Sequence, residues 1–282
     1  MFEPAEGLFG TFITEEWIID EFARCQGVQI SHLKFQRIGE TEGSFSRVCL
    51  MECESNGRVP KKFVVKYHNT ETLFYQHARG VTGVPRIFLS RPLSASDCQG
   101  IICMEYLENA RTRPVYEYIS IDEMKSILTL YANIQKGCAN VPDGVRSRLN
   151  TNVFELLSPT TLSLEMVHYG NPVEDLIRLF TTGLTASERK VHTIELLEYY
   201  RTQVTSLIAG LEQTFTSDWL LSCYNRIFPM AGLWAIVSLH ASFESSTSRE
   251  PPDSSKLDRI TKKIHGIAAE IVETVCCSDN HQ

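Results

Sequence analysis

The sequence predicts an α+β protein in which a small antiparallel β lobe precedes a larger helical lobe. Two observations carry this expectation. Between residues 31 and 106 the apolar residues fall in short runs rich in β-branched and aromatic side chains: Leu33 to Ile38, Phe45 to Met51, Phe63 to Lys66 and Ile101 to Met104. Beyond Tyr106 the apolar spacing changes to three and four residues, the period of an amphipathic helix.

Each element follows in order. Phe12 to Cys25 places Ile13, Trp17, Ile18, Phe22 and Ala23 at helical spacing behind Thr14 and two glutamates, so an N-terminal helical segment occupies 1–30. Gly39-Glu40-Thr41-Glu42-Gly43-Ser44 joins the first two apolar runs as a hairpin turn. Phe63-Val64-Val65-Lys66, preceded by Pro60 and two lysines, is a strand, and Glu71 to Ala78 is a helix. The stretch around Pro92 to Gly100 reads as a loop before the strand Ile101 to Met104. These parts make a β-rich lobe over 31–106.

The helical lobe covers 107–282. Ile121 to Gln135 carries Met124, Ile127, Leu128 and Tyr131 on one face, with Asp122 and Glu123 in its first turn. Glu174 to Phe180, Ser187 to Ala209, Phe215 to Phe243 with a break or kink at Pro229, and Lys256 to Val275 continue the pattern. Glu244 to Ser255, rich in Ser and Glu with Pro251-Pro252, is a polar loop.

Composition narrows the function classes. A chain of 282 residues with 43% hydrophobic content buries a sizeable core. Its formal net charge of -7 disfavours nonspecific attraction to nucleic acid or to an anionic membrane. The apolar run Met230 to Leu239 is too short to cross a bilayer, and the acidic start lacks a signal peptide's basic region. A cytoplasmic protein with neither nucleic-acid nor membrane partners is expected. Nine scattered cysteines are expected to be reduced, and Cys49 and Cys53 lack the second pair that a structural zinc site needs.

The order of the parts resembles a family. Ile38-Gly39-Glu40 with Ser46-Arg47-Val48, Lys62 to Lys66, His68 to Glu71 with Phe74-Tyr75, Val84 to Ile87, Ile102 to Tyr106, and Val167 to Arg178 match in sequence the choline kinase-like and ecdysteroid kinase-like group, here in a shortened form. Its fold is the two-lobed, protein-kinase-like one shared with aminoglycoside phosphotransferases. The resemblance implies ATP and Mg2+ as cofactors and phosphoryl transfer to a hydroxyl of a small lipophilic or amine-bearing alcohol.

It also implies site residues. A glycine-containing turn at Gly39 and Gly43 would let backbone N–H groups approach phosphates. Lys66 would contact those phosphates, Glu71 would orient Lys66, and main-chain groups at Glu105 and Tyr106 would receive the adenine. Without the family context Gly39 and Gly43 suit an ordinary hairpin turn, and Lys66 a solvated strand lysine.

The chemistry-bearing acids are replaced. The family's catalytic loop carries His-Gly-Asp followed by Asn; the nearest match, ending in Leu149-Asn150-Thr151-Asn152, keeps Asn152 as a metal ligand but puts Val145 and Ser147 where His and Asp belong. In Leu162-Ser163-Leu164-Glu165, Ser163 stands in place of the magnesium-binding Asp, and a hydroxyl substitutes poorly for a carboxylate on that ion. The spans Lys66 to Glu71 and Gln135 to Asn152 are shorter than the family's, as though internal segments were deleted, and Glu71 lacks helical turns to carry it back toward Lys66. His168 reads as structural, and Asp143 as a turn residue in Pro142-Asp143-Gly144. Asn171-Pro172 starts a helix well, and Asp175, the family's brace for the catalytic loop, is left with a first-turn role.

The expectation is a kinase-like protein with impaired catalysis. The alternatives are an active small-molecule kinase whose site is rebuilt on carboxylates such as Asp143 or Glu165, a pseudokinase binding nucleotide or protein, and a shortened product of a gene with a longer form.

Overall fold

The computed structural model describes residues 6–38, 47–57, 59–67, 71–77, 81–92, 100–110, 113–139, 141–146, 170–247 and 253–279. In chain order the elements are α1 (Glu15–Gln26), β1 (Ile30–Arg37), β2 (Arg47–Ser55), β3 (Lys62–Tyr67), α2 (Glu71–His77), β4 (Ile87–Arg91), β5 (Ile101–Glu105), α3 (Ile121–Cys138), α4 (Asp143–Arg146), α5 (Val173–Gly183), α6 (Ala186–Leu207), α7 (Ser217–Thr247) and α8 (Ser254–Asp279). They divide into two compact units, Met1–Ala110 with Asn140–Tyr169, and Arg111–Ala139 with Gly170–Gln282. The class is α+β, with an antiparallel sheet in the first unit and, among the described residues, helices alone in the second.

In the first unit the sheet runs β1-β2-β3-β5-β4, every neighbouring pair antiparallel. Strand alternation sends Cys49, Met51 and Cys53 of β2, Phe63 and Val65 of β3, and Ile101 and Cys103 of β5 into one core with Ile18 and Phe22 of α1. Cys49 and Cys53 are about 13 Å apart along their strand, too far to share a metal ion. Thr14 caps α1 by accepting the Trp17 N–H at 3.2 Å. Gly27 ends it at φ 63, a left-handed conformation that glycine adopts without Cβ strain.

Polar contacts fasten α1 to β4. Gln26 Nε2 donates to the Phe88 carbonyl at 2.6 Å, and the buried Glu21 carboxylate accepts from Arg24 and Arg91. The Arg24 hydrogen bond, reinforced by the charge of Arg91, holds the Glu21 carboxyl below the usual carboxylate range. Phe63 sits between Phe22 and Phe88, with ring centroids at 5.4 and 5.1 Å and edge-to-face geometry. Phe63→Ala is expected to destabilise this unit by about 3–5 kcal/mol, measured by denaturant unfolding.

β4 lies before the expected loop at Pro92 to Gly100, in a stretch where the local sequence announces no strand. It is a five-residue strand between Pro85 and Pro92 that buries Phe88 and Leu89, and prolines beside a strand are tolerated at a sheet edge. Asp143 opens the short helix α4 instead of standing in a turn.

In the second unit, capping boxes start two helices: Ser120 with Glu123 before α3, and Thr185 with Glu188 before α6. Leu128 and Ala132 of α3, Leu176 and Phe180 of α5, Leu196 and Tyr200 of α6, and Tyr224 and Phe228 of α7 share the main core. Gly232 of α7 faces α8 so closely that a Cβ there would stand 3.1 Å from Ile271. The helix passes through Pro229 unbroken: one backbone bond is lost, and the buried residues Phe228, Gly232 and Ala235 hold the path. The expectation from run length also changes here. The run Met230 to Leu239 lies within a 31-residue helix that has the length and mean hydropathy of a membrane span, with 22% of its most apolar stretch buried.

The carbonyls ending α5 have no helical partners, and three groups satisfy them. Lys263 of α8 donates to Thr182 O, the Ile119 N–H donates to Gly183 O at 2.9 Å, and Arg189 of α6 donates to Leu184 O at 2.7 Å. Lys263 also donates to the Val115 and Glu117 carbonyls at 2.9 Å each, and Arg189 pairs with both carboxylate oxygens of Glu270. Both cations are buried, and each is placed where a helix C-terminus is negative.

Candidate functional site

The antiparallel register builds one end of the sheet into a site. Phe63 pairs with Glu105, so the start of β3 lies beside the end of β5, and the residues flanking both strands converge there. Pro60, Lys61, Lys62, Glu105, Tyr106 and Glu108 line a cavity of about 370 Å³. Lys62 pairs with Glu52 across β2 at 3.0 Å, and that hydrogen bond raises the Lys62 pKa. The Glu105 backbone N–H donates to Arg86 O at 2.8 Å, and its carboxylate accepts the Arg86 N–H at 3.2 Å. Glu105 is thereby fixed from β4's side, while the chain beyond it is free of the sheet ladder.

Lys66 lies farther along the same strand pair. It registers with Val48 on β2 and Ile102 on β5, and alternation puts it on the face opposite the Phe22–Phe63 core. Ile102 is fully buried beside it. Three residue steps separate Lys66 from the Phe63–Glu105 pair, about 10 Å on a strand. Lys66, Glu105 and Tyr106 therefore belong to one strand pair, with the cation at one end and the cavity at the other. Glu71 is the first residue of α2, separated from β3 by the chain 68–70. Its side chain, with the expected pairing to Lys66, lies outside the described residues, as do Gly39, Gly43, Ser147, Asn152, Ser163, Glu165 and His168.

Sequence reasoning named Glu105 and Tyr106 but not their neighbours Lys61, Lys62 and Glu108. The lysine pair at the start of β3 is the available signal; its place beside Glu105 depends on register, which local sequence does not state.

The second unit supplies a separate polar group. Asn171 Oδ1 accepts the Val173 N–H at 3.0 Å, and Pro172 already has helical dihedrals, so Asn171 caps α5. Asp175 does more than stabilise that first turn. It accepts the Tyr131 hydroxyl of α3 at 2.6 Å; Tyr131 stacks on Tyr200 at 5.7 Å; and Tyr200 donates to Gln135. Burial first, and the Asp175 charge second, push the Tyr131 phenol well above its ordinary range, so it remains a donor. Among the described residues no three His, Cys, Asp or Glu side chains gather as a metal-binding group.

Comparison with curated proteins and with solved structures finds no match. A family model described as uncharacterized oxidoreductase dhs-27 matches residues 61–164 and 159–278. These ranges cover β3 to β5 and the helices from α2 to α8, well over half of the chain, and so the protein belongs to this family, DUF1679.

Proposed function

We propose that this chain is a kinase-like, nucleotide-binding protein in which phosphoryl transfer is lost or severely impaired. The observation that carries the reading is the placement of Lys66 on β3 beside the strand whose end bears Glu105 and Tyr106. Main-chain groups after β5 would hold a nucleobase, and the Lys66 ammonium would meet its phosphates on the sheet face away from the core. Impairment follows from Ser147 and Ser163, which stand where the resemblance calls for carboxylates. Without those carboxylates neither magnesium placement nor orientation of a substrate hydroxyl is supported. The described residues offer no replacement set for magnesium, so no step is assigned to it.

The oxidoreductase word in the family description finds less support. Dinucleotide-binding oxidoreductases commonly use a parallel sheet with a G-x-G-x-x-G turn. Here every described strand pair is antiparallel, and no two glycines stand two positions apart anywhere in the sequence.

Thermal-shift titration tests the binding step. ATP is expected to raise the melting temperature equally with and without magnesium. Lys66→Ala should weaken ATP binding, read from the ATP concentration needed for that shift, about tenfold or more, the worth of a charge-assisted hydrogen bond. Ser163→Asp should introduce a magnesium dependence. Radiolabelled ATP incubated with sterols and amino alcohols should yield no transfer. Absence of any stabilisation by ATP would overturn the nucleotide reading, and measurable transfer by the wild-type chain would overturn the impairment.

A further inference from the structure

α7 has two faces of different character. Leu220, Tyr224, Phe228, Ala235 and Leu239 point into the helical unit. The opposite face presents Arg226, Met230, Leu233, Val237, His240 and Glu244, all exposed, with Met230 at 47%, Leu233 at 49% and Val237 at 59%. Their spacing is four, three, four, three, four. That is the repeat of a coiled-coil seam, and it sets the six side chains in one line about 27 Å long. Pro229 falls off that line. Single exposed apolar residues are ordinary on a protein surface, but a heptad-spaced line with an apolar centre is the pattern that packs against another helix.

The order of charges selects the occupant. Arg226 stands at one end and Glu244 at the other, with His240 beside Glu244 at 3.8 Å. Two copies laid parallel would set Arg226 on Arg226 and Glu244 on Glu244. Laid antiparallel about the middle of the line, Leu233 meets Val237 of the partner subunit, Met230 meets His240 of the partner subunit, and Arg226 meets Glu244 of the partner subunit. The line is complementary to itself in that orientation alone, the condition for an isologous two-fold interface. We propose that α7 mediates antiparallel self-association of this chain through this seam. A single helix face buries less than the 1,200–2,000 Å² of standard interfaces, so the dimer is weak and depends on concentration.

Sedimentation equilibrium of the full chain tests this. A monomer–dimer equilibrium is expected with a dissociation constant on the order of tens of micromolar. Arg226→Glu and Glu244→Arg should each weaken it about tenfold, because two contacts per dimer turn repulsive. An equimolar mixture of the two variants should recover wild-type association, since every cross-pair is again of opposite sign. Both changes are on the surface, and unchanged circular dichroism confirms that folding is retained. A monomer up to about 200 μM, ten times that dissociation constant, overturns the proposal, whether another part of the chain covers the seam or nothing does. Dimerisation indifferent to both reversals, or failure of the mixture to recover it, overturns it as well. So does cosedimentation of the wild-type chain with phosphatidylcholine vesicles accompanied by loss of the dimer, which would assign the apolar face to a bilayer.

Discussion

Lys263→Met is expected to lower the stability of the helical unit by about 3 kcal/mol at pH 8, read from denaturant unfolding. Methionine keeps the length of the side chain but donates nothing. The carbonyls of Val115, Glu117 and Thr182 would then be left without the buried donor that joins them. Partly buried acceptors that lose their donor cost up to about 1–3 kcal/mol each, and the access that water keeps to them offsets part of the sum. The Tyr118 ring, whose face lies 4.4 Å from Lys263 Nζ, would lose that contact as well.

The same lysine should be visible in the pH dependence of stability. Burial, and then the Arg189 charge, lower its pKa to about 7, with Glu117 acting in the opposite sense. In the unfolded chain the group titrates near its ordinary value of 10.5. The folded-state pKa is thus depressed, and the folded form is penalised while Lys263 is charged. Between about pH 7 and pH 10 the unfolded state binds the extra proton, so stability rises with pH. From pH 6 to pH 8.5 the gain from this group is about 2 kcal/mol, and Lys263→Met should abolish it. The window stops short of the range where buried thiols and phenols reverse the trend: Cys103, Tyr131 and Tyr224 all have raised pKa values, so the unfolded chain releases their protons first. A slope unchanged by the substitution would show that the ammonium is not the group titrating.

This cluster was not legible in the sequence, although much around it was. The strands β2, β3 and β5 announce themselves by alternation and β-branched content, and Thr14 marks the start of α1. The boxes Ser120-x-x-Glu123 and Thr185-x-x-Glu188 are local signals of the same kind. β4 hid because five residues between prolines resemble a loop until a neighbouring strand claims them. Pro229 reads locally as a break, yet packing on both sides carries α7 through it. Lys263 and Arg189 read as solvated helix charges. Their acceptors on the 115–117 segment are nearly 150 residues from Lys263, so only tertiary structure reveals that burial. The candidate site divides in the same way: Lys66, Glu105 and Tyr106 could be named from motif order, whereas the convergence of Lys61, Lys62 and Glu108 on Glu105 required the Phe63–Glu105 register.

Arg189→Met is expected to destabilise by about 3–5 kcal/mol, because it leaves the Glu270 carboxylate and the Leu184 carbonyl without their donor at the junction of α5, α6 and α8. Glu270→Met alone should cost about as much, by leaving a buried guanidinium paired only to a carbonyl. The double variant should cost less than either single change, since a buried ion pair replaced as a whole by apolar groups loses attraction and desolvation together. The junction is tight: a Cβ on Gly266 would stand 2.9 Å from the Ala186 Cβ, so α8 cannot move toward α6 to close the gap. A further consequence separates electrostatics from packing. Arg189 is one of the charges that depress the Lys263 pKa, so its removal should raise that pKa and move the onset of the pH-dependent gain upward. If Arg189→Met lowers stability but leaves the pH profile of Lys263 where it was, the two cations act independently. A shifted profile with the same loss establishes that they form one coupled group at the end of α5.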